Sequence, residues 1–199
     1  LFFLVNLCMQ LIMVLLSQRS RGDWDGIHGW AGCMSLPKEV YLEDGIFKMR
    51  VIHEVEKLVS STERGELPIL QCAVGDQYRL VVDGKIETDG CIKVDLLSTS
   101  DGSEKTVVKL HGNGRLVLDR SMSSKHPTHR SLQERRVSMP KNHVAMEIYV
   151  DHSVVEICVN GEWISSRVYP SMENAVYLQV GMQNAKGSYE ISQMNDCEK

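Results

Sequence analysis

The chain has no strong charge of either sign, no close cysteine pair, no N-x-S/T acceptor and no helical pattern long enough to link parallel strands. Each absence removes a class of protein. A net charge of −4 over 199 residues gives no basic field for a phosphate backbone, so no nucleic-acid partner is expected. The six cysteines, at positions 8, 33, 72, 91, 158 and 197, form no C-x-x-C pair. They read as mostly buried thiols, not as a zinc site or a dense disulfide framework. The missing acceptors withdraw glycosylation as support for secretion without excluding secretion. The seven histidines are scattered, no H-E-x-x-H string occurs, and no Ser/His/Asp arrangement stands out. There is no repeat at solenoid spacing.

What is present is an ordinary globular composition, 43% hydrophobic and 24% charged, enough for one substantial core or one domain plus a fragment. Leu1 to Ser17 is an uncharged run with no initiator Met, no basic n-region and no small-residue cleavage site. A membrane span needs roughly 20 apolar residues, and Asn6 and Gln10 interrupt this shorter run, so a membrane partner is not expected. A signal sequence without its n-region is a second reading. Buried strands, or sequence joined at a misplaced gene boundary, are favoured, because runs of this length are often core.

The strongest pattern lies between Met146 and Pro170. Met146, Ile148 and Val150 share one face of a strand and Glu147, Tyr149 and Asp151 the other, the period of two of a half-buried strand. After the turn at Asp151-His152-Ser153, where His152 reads as structural, Val155, Ile157 and Val159 alternate with Val154, Glu156, Cys158 and Asn160. Asn160-Gly161 supplies the two positive-φ positions of a tight hairpin, and Glu162 to Tyr169 returns as the next strand until Pro170 removes a ladder donor. Upstream, Tyr78, Leu80 and Val82 alternate until Asp83-Gly84, which reads as a turn, and Ile92, Val94 and Leu96 repeat the pattern. Further short runs follow at Thr106 to Leu110, Arg115 to Asp119, Val176 to Val180 and Ser188 to Ile191. Two packed antiparallel sheets are therefore expected.

Other stretches read as connections. Asp44-Gly45 marks a hairpin, and Val51, Val55 and Leu58 suggest a short helix through Ile52 to Leu58. Ser60 to Thr62 and Gly65 to Pro68 read as a boundary. Ser123 to Met139, rich in His, Arg, Ser and Gln, reads as a solvated basic loop. Cys158, inside a strand, reads as a packed thiol.

Several strings together resemble glycoside hydrolase family 32, the invertases, inulinases and levanases. V-D-H-S-V-V-E at Val150 to Glu156, then V-N, then S-R-V-Y-P at Ser166 to Pro170 match the signature of that family's C-terminal β-sandwich. G-W-A-G-C-M-S-L-P-K-E at Gly29 to Glu39 resembles a segment in the last blade of its five-bladed propeller, with Lys38 where Arg is usual. Asp119-Arg120-Ser121 matches a D-R-S motif that precedes a loop, and a role for Asp119 and Arg120 in holding loop to sheet is expected.

The resemblance implies an all-β chain: an apolar segment over 1–20, a remnant of the last propeller blade over 21–50, a linker with a short helix over 51–65, and a two-sheet, concanavalin-like antiparallel β-sandwich over 66–199. It implies a retaining glycosidase acting on fructose-containing saccharides through the propeller, without metal or organic cofactor, in an extracellular setting, with homodimer contacts open to the sandwich. Retention needs two carboxyl groups about 5 Å apart. In the family these belong to N-D-P-N-G and E-C strings, with a stabilising R-D-P, and none of the three occurs in this sequence. Asn195-Asp196 lacks the following Pro-Asn-Gly. No residue inherits a catalytic role, so the chain reads as the non-catalytic sandwich portion of such an enzyme. Asp23 and Asp25 read as solvated carboxylates, and Trp24 beside them is the one candidate for sugar contact. A free-standing lectin-like module is the alternative.

Overall fold

In the computed structural model the described residues are 10–12, 15–16, 33–43 and 45–195. Three small strands come first: β1 (Gln10–Ile12), β2 (Leu15–Leu16) and β3 (Cys33–Met34). The hairpin β4 (Lys38–Glu43) and β5 (Ile46–Val51) follows, with Gly45 between its strands at φ 77°; Asp44, its partner in the expected turn, lies outside the described residues. β1 pairs with β4, and β2 with β3, so residues of the apolar N-terminal run take part in antiparallel pairing. Among the described residues no helix is long and apolar enough to cross a membrane.

The expected helix is present as a 3₁₀ turn, His53–Leu58. The sheet then begins earlier than the composition suggested: β6 (Val59–Glu66) lies inside the expected linker, yet it pairs along its length with the last strand. Serine and threonine are compatible with an edge strand whose outer face is wet. Next come β7 (Ile69–Ala73), β8 (Gln77–Ser98), β9 (Thr106–His111), β10 (Arg115–Asp119), β11 (Leu132–Arg136), β12 (His143–Asp151), β13 (Val154–Val159), β14 (Glu162–Arg167) and β15 (Tyr177–Met194).

The two layers of the sandwich emerge from the register. Residues 77–85 of β8 pair with β12 on one side, and residues 78–86 pair with residues 185–193 of β15 on the other, giving the layer β14-β13-β12-β8-β15-β6. Residues 91–96 of β8 pair with β9 and with residues 179–183 of β15, giving the layer β11-β10-β9-β8-β15-β7. Both long strands therefore pass from one layer into the other. Asp83-Gly84 is not the turn its dipeptide suggested; the strand runs through it, paired on both sides, and a Cβ on Gly84 would stand 2.2 Å from the Lys186 carbonyl oxygen. Glycine there permits close backbone approach at the corner.

The inner faces share one core. Tyr78, Leu80, Val82, Ile92, Val94, Leu96, Leu110, Leu116, Leu118, Met146, Ile148 and Ile157 are all buried in it; the alternation read around Tyr78, Ile92, Met146 and Val155 places its strands correctly, and the short runs at Thr106 to Leu110 and Arg115 to Asp119 form strands as well. The hairpins around Asp151-His152-Ser153 and Asn160-Gly161 also form as expected, with φ of 49° at His152, 49° at Asn160 and 88° at Gly161.

The expectation of a solvated loop over Ser123 to Met139 is corrected in part. Residues 132–136 make edge strand β11, and Ser123, Ser124, His129 and Val137 are buried. The buried Glu104 carboxylate holds this segment in place, accepting the backbone N–H groups of Lys125 at 3.1 Å, Ser171 at 2.8 Å and Met172 at 3.2 Å. A polar sequence can be buried when its backbone donors find a charged acceptor.

Candidate functional site

The outer face of the layer that contains β12, β13 and β14 is not left to solvent. Glu156 is outward by alternation, yet it is 0% exposed, because the segment of residues 33–58 lies across it. Its carboxylate accepts the Leu36 backbone N–H at 2.7 Å on one oxygen, and on the other it meets the Lys38 ammonium and the Ser165 hydroxyl at 3.3 Å. The Lys38 ammonium also sits 4.7 Å from the centre of the Trp163 ring. A buried charge is tolerated only when paired and hydrogen-bonded, and here both conditions hold. S-L-P-K-E and V-D-H-S-V-V-E, read separately in the sequence, thus meet through Lys38 and Glu156.

Around this pair is an apolar seam. Trp163 donates its indole N–H to the Met49 carbonyl at 2.9 Å, while Val55, Tyr149 and Cys158 pack beside it. Burial pushes the Cys158 thiol up to about 12, so it is inert packing, as expected from its place in the strand. Farther along, Glu147 Oε2 accepts from Arg79 at 3.1 Å and from the Tyr149 hydroxyl at 2.9 Å. Desolvation works against the Arg79 charge, but Tyr149 and Glu147 outweigh it and raise its pKa.

Other singled-out residues fall elsewhere. Asp119 accepts the Ser121 N–H at 2.9 Å, a local turn, while Arg120 reaches the Ser131 hydroxyl at 3.0 Å and the Arg167 carbonyl. Arg120 therefore does hold loop to sheet. His152 contacts Asp76 at 2.8 Å at the turn, a structural position. Trp24, Asp23 and Asp25 lie outside the described residues. Among the described residues no group of three or more His, Cys, Asp or Glu side chains could hold a metal ion. Glu104 and the burial of Glu156 were missed by sequence reading; the only available signal was that Glu156 interrupts a run of apolar residues, V-V-E-I-C-V.

Comparison with known proteins agrees with this geometry. The model of the family described as Glycosyl hydrolases family 32 C terminal matches residues 48–195. The chain is 30% identical over 156 residues to the sucrose-6-phosphate hydrolase of Escherichia coli, covering 73% of this chain and 31% of that protein. It is 31% identical over 158 residues to the raffinose invertase of the same organism, covering 73% and 31%. The chain thus spans about a third of the length of the curated relatives it matches. Among solved structures, fructan 1-exohydrolase IIa from Cichorium intybus superposes with a TM-score of 0.79 at 17% identity, covering 96% of this chain and 46% of that one. Sucrose-6-phosphate hydrolase from Lactobacillus gasseri gives 0.72 at 21%, covering 83% and 34%. A sandwich with two shared strands, the seam motifs in order and a family match over most of its length lead to one assignment: the chain belongs to glycoside hydrolase family 32, as its C-terminal β-sandwich domain.

Proposed function

We propose that this chain is the sandwich portion of a β-fructofuranosidase-type glycosidase acting on sucrose or fructans, and that it braces a catalytic propeller without cutting the glycosidic bond itself. The observation that carries this reading is the seam: residues ahead of the matched domain are fastened to its outer face by Lys38, Glu156 and Trp163. In this reading the β4–β5 hairpin is the remnant of the last propeller blade. Its tip supports that, since Leu42, Ile46 and Phe47 are exposed, Phe47 to 77%, as the edge of a larger apolar body would be. A free-standing lectin-like module has no need of such a surface.

Fructose-containing saccharides are the proposed substrates, by hydrolysis through a covalent fructosyl-enzyme formed on propeller carboxylates. The related Cichorium intybus enzyme has been crystallised with 1-kestose, which supports the substrate class. A rim contact from Trp24 to the sugar, a homodimer through the sandwich and an extracellular location belong to the same reading. The test is a fructose-release assay on the purified chain with sucrose and inulin. No release is expected, and release at an enzyme-like rate would refute the bracing role. Joined to a family propeller, the sandwich is expected to raise its melting temperature, and unchanged sugar affinity after Trp24→Ala would remove Trp24 from the reading.

A further inference from the structure

Arg135-Arg136 is the one adjacent pair of basic residues in the sequence, and a serine follows it after a single apolar residue, R-R-V-S-M at Arg135 to Met139. The two arginines end β11, an edge strand paired on one side only, with β10. Both are exposed, and strand alternation sends their guanidinium groups to opposite sides of an extended backbone. Val137 turns into the core, and Ser138 emerges exposed, outside any strand or helix. Its backbone N–H donates to Glu162 Oε1 at 2.8 Å, and its carbonyl accepts from the Asn160 side chain at 2.7 Å. Both holds come from side chains and not from a sheet ladder, so the segment can lift without unzipping a strand.

Guanidinium groups two and three residues ahead of an accessible serine form a charge pattern that acidic subsites of a kinase read. Other serines lack one part of it. Ser123 has Arg120 three residues ahead, but it is 1% exposed and its hydroxyl donates to the Arg120 carbonyl. Ser131 follows Arg130 directly, and its hydroxyl accepts from Arg120.

The neighbours of Ser138 determine what a phosphate does there. Glu162 serves two partners, with Oε1 on the Ser138 N–H and Oε2 3.5 Å from Arg135 Nε. Arg135 also donates to the Trp163 carbonyl at 3.0 Å, tying the edge of one layer to β14 of the other beside the seam tryptophan. A phosphoserine brings about two negative charges next to Glu162. Like charge pushes that carboxylate away, and a guanidinium fork pairs better with phosphate than with a peptide carbonyl.

We propose that Ser138 is a phosphorylation site for an arginine-directed serine kinase, and that its phosphate draws Arg135 from Glu162 and the Trp163 carbonyl, loosening β14 where it supports the seam. In the transfer, Ser138 Oγ bonds to the γ-phosphorus of ATP and the bond from that phosphorus to the β–γ bridging oxygen breaks. ADP leaves, and the hydroxyl proton passes to the base of the kinase. The acceptor site does not depend on the bracing role; only the consequence for a propeller rests on that reading. A chain bound for export meets such a kinase before it leaves the cytosol.

The experiment incubates the native full chain with ATP and the catalytic subunit of a cyclic-AMP-dependent kinase, and maps the phosphate by mass spectrometry. Phosphate at Ser138 is expected, and none at that position in Ser138→Ala. Arg136→Ala, which leaves Arg135 and Trp163 untouched, should slow transfer about tenfold by removing a charged contact to the kinase, and Arg136→Lys should restore part of the rate. Hydrogen exchange should quicken over residues 162–167 of the phosphorylated chain and stay unchanged over 92–96, with neither region altered in Ser138→Ala treated alike. A native chain that takes no phosphate at Ser138 overturns the proposal, as does Arg136→Ala modified at the parent rate. Phosphate at Ser138 with exchange over 162–167 unmoved overturns the switch. If Arg136→Ala loses its fold by circular dichroism, the site mapped on the unsubstituted chain and its exchange decide.

Discussion

The two faces of one sheet layer are built by opposite means. Toward the other layer, β8, β12 and β13 present Leu80, Val82, Ile148 and Ile157, fully buried aliphatic side chains without a charge among them. Toward the hairpin segment the same strands present Glu147, Glu156, Arg79 and Tyr149, with Trp163 from the neighbouring strand, and leave cavities of about 250 and 170 Å³. The first is a folding core, held by non-directional burial. The second has the composition of an interface, rich in Trp, Tyr and Arg, where hydrogen bonds fix orientation. One face makes the domain stable; the other decides what sits on it and at what angle.

That contrast can be broken by substitution. Leu80→Ala should cost about 4 kcal/mol through lost transfer and a residual cavity. Thermal melting should fall steeply, and hydrogen exchange should speed up in both layers. Glu156→Ala should cost about 3 kcal/mol by leaving a lysine buried without its carboxylate. Its exchange signature should differ, with protection lost over residues 33–58 and kept over 92–118. If it were lost equally in both, the seam would be part of the core. Asn160→Ala should cost about 2 kcal/mol, since Asn160 holds φ at 49° and its amide bonds Ser138 at 2.7 Å, His143 at 3.1 Å and Ala145 at 2.9 Å; chemical denaturation measures it.

The smallest expected effect concerns Cys158. Its folded pKa is raised to about 12, above the ordinary value near 8.5. The protonated thiol therefore adds stability that is whole below pH of about 8.5 and disappears as pH climbs toward 12. Alkylation of Cys158 at mildly alkaline pH should be slower than at the half-buried Cys72 and Cys91. Glu156→Ala should accelerate it, which makes this thiol a reporter of seam opening.

The sequence displayed the inner face well, because period-two alternation is a local property. Tyr78, Leu80 and Val82, or Val155, Ile157 and Val159, announce a buried face without reference to any other part of the chain. The outer face was far less legible. Glu156 owes its burial to a lysine 118 positions earlier, and nothing near Glu156 encodes that distance. Asp83-Gly84 misled for a related reason: the dipeptide that suits a hairpin also suits a corner, and the choice is made by Lys186 and Gly187 on a distant strand. Ser123 to Met139 looked solvated because its anchor, Glu104, lies outside it.

The passage of β8 and β15 through both layers constrains how the molecule can come apart. Two slabs laid face to face could slide or peel, one melting while the other persisted. Here two continuous stretches of peptide stitch them, so prising the layers apart must tear ladder rungs in both at once. Calorimetry should record a single transition for the sandwich, and a pulling force applied across it should meet one sharp rupture rather than a staircase.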